Sequence, residues 1–250
     1  MKALITGASS GLGKDFAKIL SDKGYDLILV ARRKSKLEDL KKELKTKVTV
    51  LDYDLSSENN CYSLFKTVEK ENIDILINNA GYGIFGEFDK VDLETELNMI
   101  DLNIKAVHIL TKLFLDKFKK QDKGYILNVA SSAGFMSGPL MSTYYATKGY
   151  VLKLTEAISE ELRRNKSNVS VSVLCPGPVN TEFNDVAGVS FSLKGLSREK
   201  VTKHTINKML KKRTVIVPGF IMKLGIFALR LIPRKLMLKI VYRIQTKKIK

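Results

Sequence analysis

The pair of residues with the most direct chemical use is Tyr144 and Lys148, in the run Tyr144-Tyr145-Ala146-Thr147-Lys148. Positions i and i+4 share one face of a helix, where an ammonium favours a neighbouring tyrosinate and brings the phenol toward general acid/base work. That spacing alone is weak evidence. Near the start of the chain, Thr6-Gly7-Ala8-Ser9-Ser10-Gly11-Leu12-Gly13 offers a second kind of chemistry. Its glycines permit a tight strand-to-helix turn, and the helix N-terminus that follows presents free N–H groups to a pyrophosphate. The spacing T-G-x-x-x-G-x-G departs from the common G-x-G-x-x-G fingerprint, so taken alone it leaves a purely structural turn open.

A third group closes the second apolar run, Leu29-Val30-Ala31-Arg32-Arg33. At this point a site for NAD offers an acid to the ribose 2′-hydroxyl. Two guanidiniums suit a 2′-phosphate instead, because arginine makes charge-assisted bonds to phosphate oxygens. Arg32 is the specific candidate, while Arg33, Lys34 and Lys36 also read as the solvated start of a helix.

Such residues act together only if the fold gathers them. Short apolar runs at Ala3–Thr6, Leu27–Val30, Val48–Leu51, Ile73–Ile77, Tyr125–Val129, Val169–Leu174 and Val215–Val217 read as strands of a doubly covered sheet. Segments of helical period fill the gaps: Leu12–Lys23, Lys34–Leu44, Glu58–Glu71, Leu93–Lys119, Thr143–Arg164 and Arg198–Leu210, the last capped by Ser197. The alternation predicts an α/β domain, doubly wound around a mostly parallel seven-stranded sheet with helices on both faces. Ligands of such sheets bind at the carboxyl ends of the strands, which is where the groups above fall.

Taken together, the turn at 6–13, Asp54-Leu55, Asn78-Asn79-Ala80-Gly81, Asn103, Ser131, Tyr144 with Lys148, and Pro176-Gly177-Pro178-Val179-Asn180-Thr181 resemble the short-chain dehydrogenase/reductase family in order and spacing. The resemblance covers residues 1–218 and implies a Rossmann-type, NAD(P)-binding oxidoreductase that moves hydride between nicotinamide and a carbonyl or secondary alcohol. It makes Tyr144 the general acid/base, Lys148 its helper and a holder of the nicotinamide ribose, Ser131 the group that polarises the carbonyl, and Asn103 the holder of a relay water. Thirteen residues separate Ser131 from Tyr144, which selects it over Ser132, and Tyr144 rather than Tyr145 matches the motif. Cofactor contacts are implied for Gly7, Ser9, Ser10, Gly11, Leu12, Gly13, Arg32, Arg33, Asp54, Leu55, Asn79, Ala80, Gly81, Pro176, Gly177, Val179 and Thr181. Arg32 marks NADPH (NADP) preference, tempered by Ser10, where many NADP-preferring relatives carry a basic residue. The family also implies a homodimer or homotetramer built on the long helices at 93–119 and 143–164.

Lys and Arg total 43 against 26 Asp and Glu, a net +17, yet 14 of the excess cations fall after residue 200 with no acid among them. A near-neutral body and the absence of any nucleic-acid motif argue against a nucleic-acid partner. Cys61 and Cys175 show no metal or redox spacing, His108 and His204 stand alone, and no metal is expected. The start of the chain leaves no room for a secretory signal, so a cytoplasmic location is expected.

Residues 219–250 form a distinct basic and apolar segment: from Val215 to Ile244, 20 of 30 positions are apolar, interrupted by Lys223, Arg230, Arg234, Lys235, Lys239 and Arg243. It is too often charged to span a bilayer, and reads either as a peripheral contact with the inner face of a membrane or as cover for the substrate pocket or a subunit interface. Its apolar character points to a lipophilic substrate. The competing function is a non-catalytic NADP-binding regulatory or membrane-surface protein on the same fold, against which the complete Tyr/Lys/Ser set weighs. Over 182–197 the family places a substrate lid, and Phe183, Val189 and Phe191 read either as pocket lining or as packing of the lid against the body.

Overall fold

A computed structural model describes residues 1–179 and 196–246. Thr181 and the lid candidates Phe183, Val189 and Phe191 lie outside the described residues. Seven strands among the described residues, β1 (Lys2–Thr6), β2 (Asp26–Val30), β3 (Val48–Leu51), β4 (Ile75–Asn78), β5 (Tyr125–Val129), β6 (Ser170–Leu174) and β7 (Val215–Ile216), form one sheet in the order 3-2-1-4-5-6-7. Every pairing is parallel, which makes the sheet entirely, rather than mostly, parallel.

Parallel strands buried on both faces need apolar side chains in both directions. Ile5, Leu27, Leu29, Ile75, Ile77 and Leu127 face a core formed with α1 (Gly11–Asp22), α2 (Lys34–Glu43) and α7 (Arg198–Leu210). Leu4, Ile28, Val30, Leu76 and Ile126 face the opposite core, made with α3 (Glu58–Val68), α5 (Val107–Gln121) and α6 (Ser142–Arg164). On that side Phe114 and Phe118 are fully enclosed and stack edge to face at 5.8 Å. Ser197 caps α7, its hydroxyl accepting from the Lys200 amide at 3.3 Å.

One expected helix is interrupted. The segment predicted as a single helix over 93–119 is α4 (Leu93–Ile100), a π-helical turn (Asp101–Ala106) and α5. A π turn inserts one residue into the helical register, a feature concentrated at functional sites, and here the turn contains Asn103. Apolar periodicity carries no sign of it, because the helix resumes on the same buried face at Val107, Leu110 and Phe114.

Strand order reverses between β1 and β4, so the connections after these strands diverge and leave a crevice at their carboxyl ends. The chain after β7 continues into α8 (Phe220–Ala228) and α9 (Arg234–Thr246), which pack across the same end of the sheet through Met222 and Ile226 and through the buried Val241 and Gln245.

Candidate active site

The crevice is held open by Thr6 and Asn79. The Thr6 hydroxyl accepts from the amides of Asn79 and Ala80 at 2.9 and 3.0 Å, while the Asn79 side-chain amide donates to the carbonyls of Thr6 and Gly7 at 3.0 and 3.1 Å. Asn79 thus fixes the Gly-rich turn against β4. Its neighbour Asn78 points the other way, into a buried polar chain through Thr111, Asn128 and Thr155 that joins α5, β5 and α6. Gly7 has φ +64, and a Cβ at Gly13 would lie 2.2 Å from the Gly7 carbonyl oxygen. Only glycine lets helix α1 start this close to β1. The Ser10 side chain caps none of the first-turn amides of α1, which leaves them available to an anion.

From this turn a cavity of about 610 Å³ runs along the ends of β1, β4, β5 and β6. Of the cofactor residues expected from sequence, Gly7, Ser9, Ser10, Gly11, Leu12, Arg32, Arg33, Asp54, Leu55, Asn79, Ala80, Gly81, Pro176, Gly177 and Val179 lie on its wall. Gly13 stands behind the turn.

At the turn end, Arg33 donates to the Ser9 hydroxyl at 3.1 Å, and Arg32 approaches Asp54 at 3.7 Å. Burial works to raise the Asp54 carboxyl, but hydrogen bonds from the amide and hydroxyl of Ser56, together with the Arg32 guanidinium, outweigh it and hold the group below its ordinary value. Two guanidiniums and a seryl hydroxyl therefore meet where β2 and the Gly-rich turn converge. Arg33 thus reaches across to the turn at Ser9, next to Ser10.

At the other end Ser131, Tyr144 and Lys148 come together, as their spacing predicts. The 3-10 turn Ser132–Phe135 is capped by the Ser131 hydroxyl, which accepts from the Ala133 amide at 3.1 Å and also hydrogen-bonds the Tyr144 phenol. The Lys148 ammonium donates to the Val129 carbonyl at 3.0 Å and stands 5.8 Å from the centroid of the Tyr144 ring. Both side chains are nearly enclosed. Burial pushes the Tyr144 phenol above its ordinary value despite the Ser131 bond, and pulls Lys148 down to about 8. In this geometry the phenol is raised rather than lowered, contrary to the sequence expectation, because desolvation dominates and the ammonium is directed at a backbone carbonyl.

Asn103 is fully buried and is not on the cavity wall. Its side chain accepts from the Tyr82 amide at 3.1 Å and donates to the Tyr82 carbonyl at 2.8 Å and the Thr147 hydroxyl at 3.1 Å. It ties the chain after β4 to α6 beside Tyr144 and Lys148. Ser132 ties β5 to the next crossing through its amide, which donates to the Pro176 carbonyl at 2.8 Å. Cys61 and Cys175 are buried free thiols, pushed by burial up to about 11 and about 12.

Several wall residues carried no sequence signal. Tyr82 bonds the Asn98 side chain at 2.9 Å, and with Met141 and Tyr145 it forms the apolar side of the cavity beyond Tyr144. Tyr145 is set edge to face on Tyr144 with centroids 6.1 Å apart. Thr6, the residue that organises the turn, was visible only as the first letter of the glycine motif.

Residues 1–188 match the sequence profile of the family described as short chain dehydrogenase. The chain belongs to the short-chain dehydrogenase/reductase family. This dehydrogenase is 33% identical over 185 residues to an uncharacterized oxidoreductase of Staphylococcus epidermidis, covering 73% of this chain and 80% of the relative. It is 30% identical over 218 residues to a very-long-chain 3-oxoacyl-CoA reductase of Mycosarcoma maydis, covering 84% of this chain and 60% of that protein. In structure it is similar to a short-chain dehydrogenase from Sphingobium yanoikuyae in complex with NADPH, with TM-score 0.83, 30% identity and 94% of both chains covered. It is also similar to a family member from Burkholderia phymatum in complex with NAD, with TM-score 0.81, 25% identity, and 90% and 91% covered. The enzyme is thus an oxidoreductase with a nicotinamide cofactor. Among the described residues no group of three His, Cys, Asp or Glu side chains is arranged to hold a metal, and no helix is long and apolar enough to cross a membrane.

Proposed function

We propose that the enzyme is an NADPH-preferring reductase of lipophilic carbonyl compounds, with Tyr144 as the proton donor. The observation that carries this reading is the enclosure of Ser131, Tyr144 and Lys148 at one end of a cavity whose other end is the glycine turn flanked by Arg32 and Arg33. The fit of a dinucleotide rests on the uncapped amides of α1, which the close packing allowed by Gly7 and Gly13 brings to the end of β1. Ser9, Ser10, Gly11 and Leu12 would hold the pyrophosphate, Arg32 and Arg33 the 2′-phosphate, and Lys148 the ribose beside the nicotinamide. When bound, the dinucleotide supplies the hydride.

The protein's own part is positional and protonic. Ser131 donates to the carbonyl oxygen and sets it against the phenol. The raised phenol is neutral at physiological pH and gives its proton to the developing alkoxide, and Lys148, still mostly protonated at pH 7, stabilises the tyrosinate left behind. Asn103 acts by position, holding Tyr82 and α6 in register.

Support for a lipophilic substrate comes from the wall of Tyr82, Met141 and Tyr145, and from the Mycosarcoma maydis relative, whose name describes a reductase of very-long-chain 3-oxoacyl-CoA. The test is NADPH oxidation over a panel of ketones of increasing chain length, with Tyr144→Phe as control. Loss of a positioned acid lowers kcat by roughly 10²–10⁴. Equal activity in Tyr144→Phe would remove the phenol from the mechanism, and equal kcat/KM for short and long ketones would remove the lipophilic preference.

A further inference from the structure

Among the described residues, most of the exposed large apolar side chains lie on the C-terminal helices and the turn between them. Phe220 and Ile221 are 79% and 83% exposed, and Leu224, Phe227 and Leu231 more than half. No residue of α8 is buried. At 3.6 residues per turn, Phe220, Leu224 and Phe227 fall on one stripe of α8 with Lys223 along its flank, and the turn that follows adds Arg230 and the exposed Leu231. Met222 and Ile226 fall opposite and pack on the body. On α9, Lys235, Lys239 and Arg243 form a cationic row beside the exposed row Leu236, Ile240 and Ile244, while Val241 and Gln245 are buried beneath.

We propose that the outer faces of α8 and α9 form a docking surface for an anionic lipid bilayer, which seats the substrate end of the cavity against the membrane. Two observations select this occupant. Between Gly219 and Thr246 there are six cations and no acid, so the apolar stripe is framed by a single sign of charge. A second copy of the chain docked by the same face would bring those six cations against themselves with no carboxylate between them, since a two-fold contact repeats one patch on both partners. A bilayer with anionic headgroups answers both features at once, accepting Phe, Ile and Leu side chains among the acyl chains and the ammonium and guanidinium groups at the phosphates.

The inner faces of the same helices reach the cavity wall. Met222 packs so closely on Gly177 that a Cβ there would lie 2.9 Å from its sulfur, and Gln245 donates to the Tyr145 hydroxyl at 2.7 Å. A substrate dissolved in the acyl region would therefore leave the bilayer next to the catalytic residues. The docking itself stands independently of the reductase reading, and only its orientation toward the cavity rests on it.

The experiment is flotation of the full chain with vesicles of phosphatidylcholine alone and of phosphatidylcholine mixed with phosphatidylglycerol. Binding is expected to the mixed vesicles only, and to disappear at about 1 M salt, where the Debye length is about 3 Å. Phe220→Ser with Phe227→Ser, and separately Lys235→Glu with Lys239→Glu, should each lower the bound fraction roughly tenfold. Turnover of a water-soluble ketone should stay unchanged in both. Failure of the native chain to float with the mixed vesicles overturns the proposal, as does undiminished binding by both variants. A lipid-free dimer that the Phe220→Ser, Phe227→Ser variant dissociates, with no vesicle binding, would instead make this face a subunit interface. Because flotation requires no turnover, an inactive enzyme that still floats separates the two readings.

Discussion

Gln245, on the last described helix, donates a 2.7 Å hydrogen bond to the hydroxyl of Tyr145, the residue next to Tyr144. Gln245 is fully buried, and its amide oxygen has no partner among the described residues. The bond couples α9 to the apolar wall of the cavity across 100 residues of sequence. Gln245→Leu removes both the bond and the orphaned oxygen, so its net effect on stability should be small, within about 1 kcal/mol. Tyr145 is then free to turn. The expected result is a several-fold rise in KM for long-chain ketones with kcat for a small ketone unchanged, measured by steady-state kinetics. A parallel fall in kcat for every substrate would show that the contact serves Tyr144 itself.

Lys148 gives the enzyme a defined pH response. With its ammonium lowered to about 8, the kcat for carbonyl reduction should hold through neutral pH and fall as pH rises past about 8, because the tyrosinate formed in the step loses its cationic neighbour. The stability term has the opposite sense. A lysine whose folded value lies below its ordinary 10.5 costs stability at low pH, and that cost fades as pH rises from about 8 to 10.5. The difference corresponds to about 3 kcal/mol. Lys148→Met should therefore lower activity by at least tenfold while melting no lower than the native enzyme at pH 7, with the gap between them shrinking toward pH 10.

Arg33 and Arg32 meet at the turn end of the cavity, one on Ser9 and the other near Asp54. The Arg32 pair is exposed, and such pairs contribute about 0–1 kcal/mol, so it opens readily for a phosphate. Loss of one charged hydrogen bond costs about 1.5–3 kcal/mol. Arg33→Glu should thus raise KM for NADPH by roughly ten- to a hundredfold, with KM for NADH little changed or lower. Initial-rate kinetics with both cofactors decides the matter, and an equal rise for the two would mean that Arg33 serves the turn rather than the 2′-phosphate.

Thr6 is enclosed and takes two backbone amides on one hydroxyl. Thr6→Val keeps the shape and leaves both amides without a partner, at a cost of about 1–3 kcal/mol for each group. Urea unfolding should show a lower midpoint with the slope unchanged, and affinity for either nicotinamide cofactor should fall with it. An unaltered midpoint would mean that water replaces the hydroxyl.

Much of the fold was legible because parallel strands buried on both faces are dominated by apolar side chains, and the runs at 3–6, 27–30 and 125–129 have that character, with one polar residue in the first and in the last. The meeting of Tyr144 and Lys148 was equally legible. Tyr144 and Lys148 are one helical turn apart, so local geometry alone puts them on one face. The glycine turn follows from the steric fact that residues with a Cβ cannot stand where Gly7 and Gly13 stand. Local order thus determined the glycine turn and the shared face of Tyr144 and Lys148.

The π turn at Asn103 was not legible, since one inserted residue leaves the apolar pattern on either side intact. Nor was the direction of the Tyr144 and Lys148 shifts: spacing gives their proximity, but enclosure sets the pKa values, and enclosure is a property of the packed molecule. Arg33 crossing to Ser9, Thr6 stapling β4, and Gln245 meeting Tyr145 join residues 24, 73 and 100 positions apart. The sequence by itself determined the strands, the turn and the pairing of Tyr144 with Lys148, because each follows from a local period or a local steric limit. Tertiary structure alone decided the walls of the cavity and the charge states within it, because these depend on which distant side chains exclude water from one another.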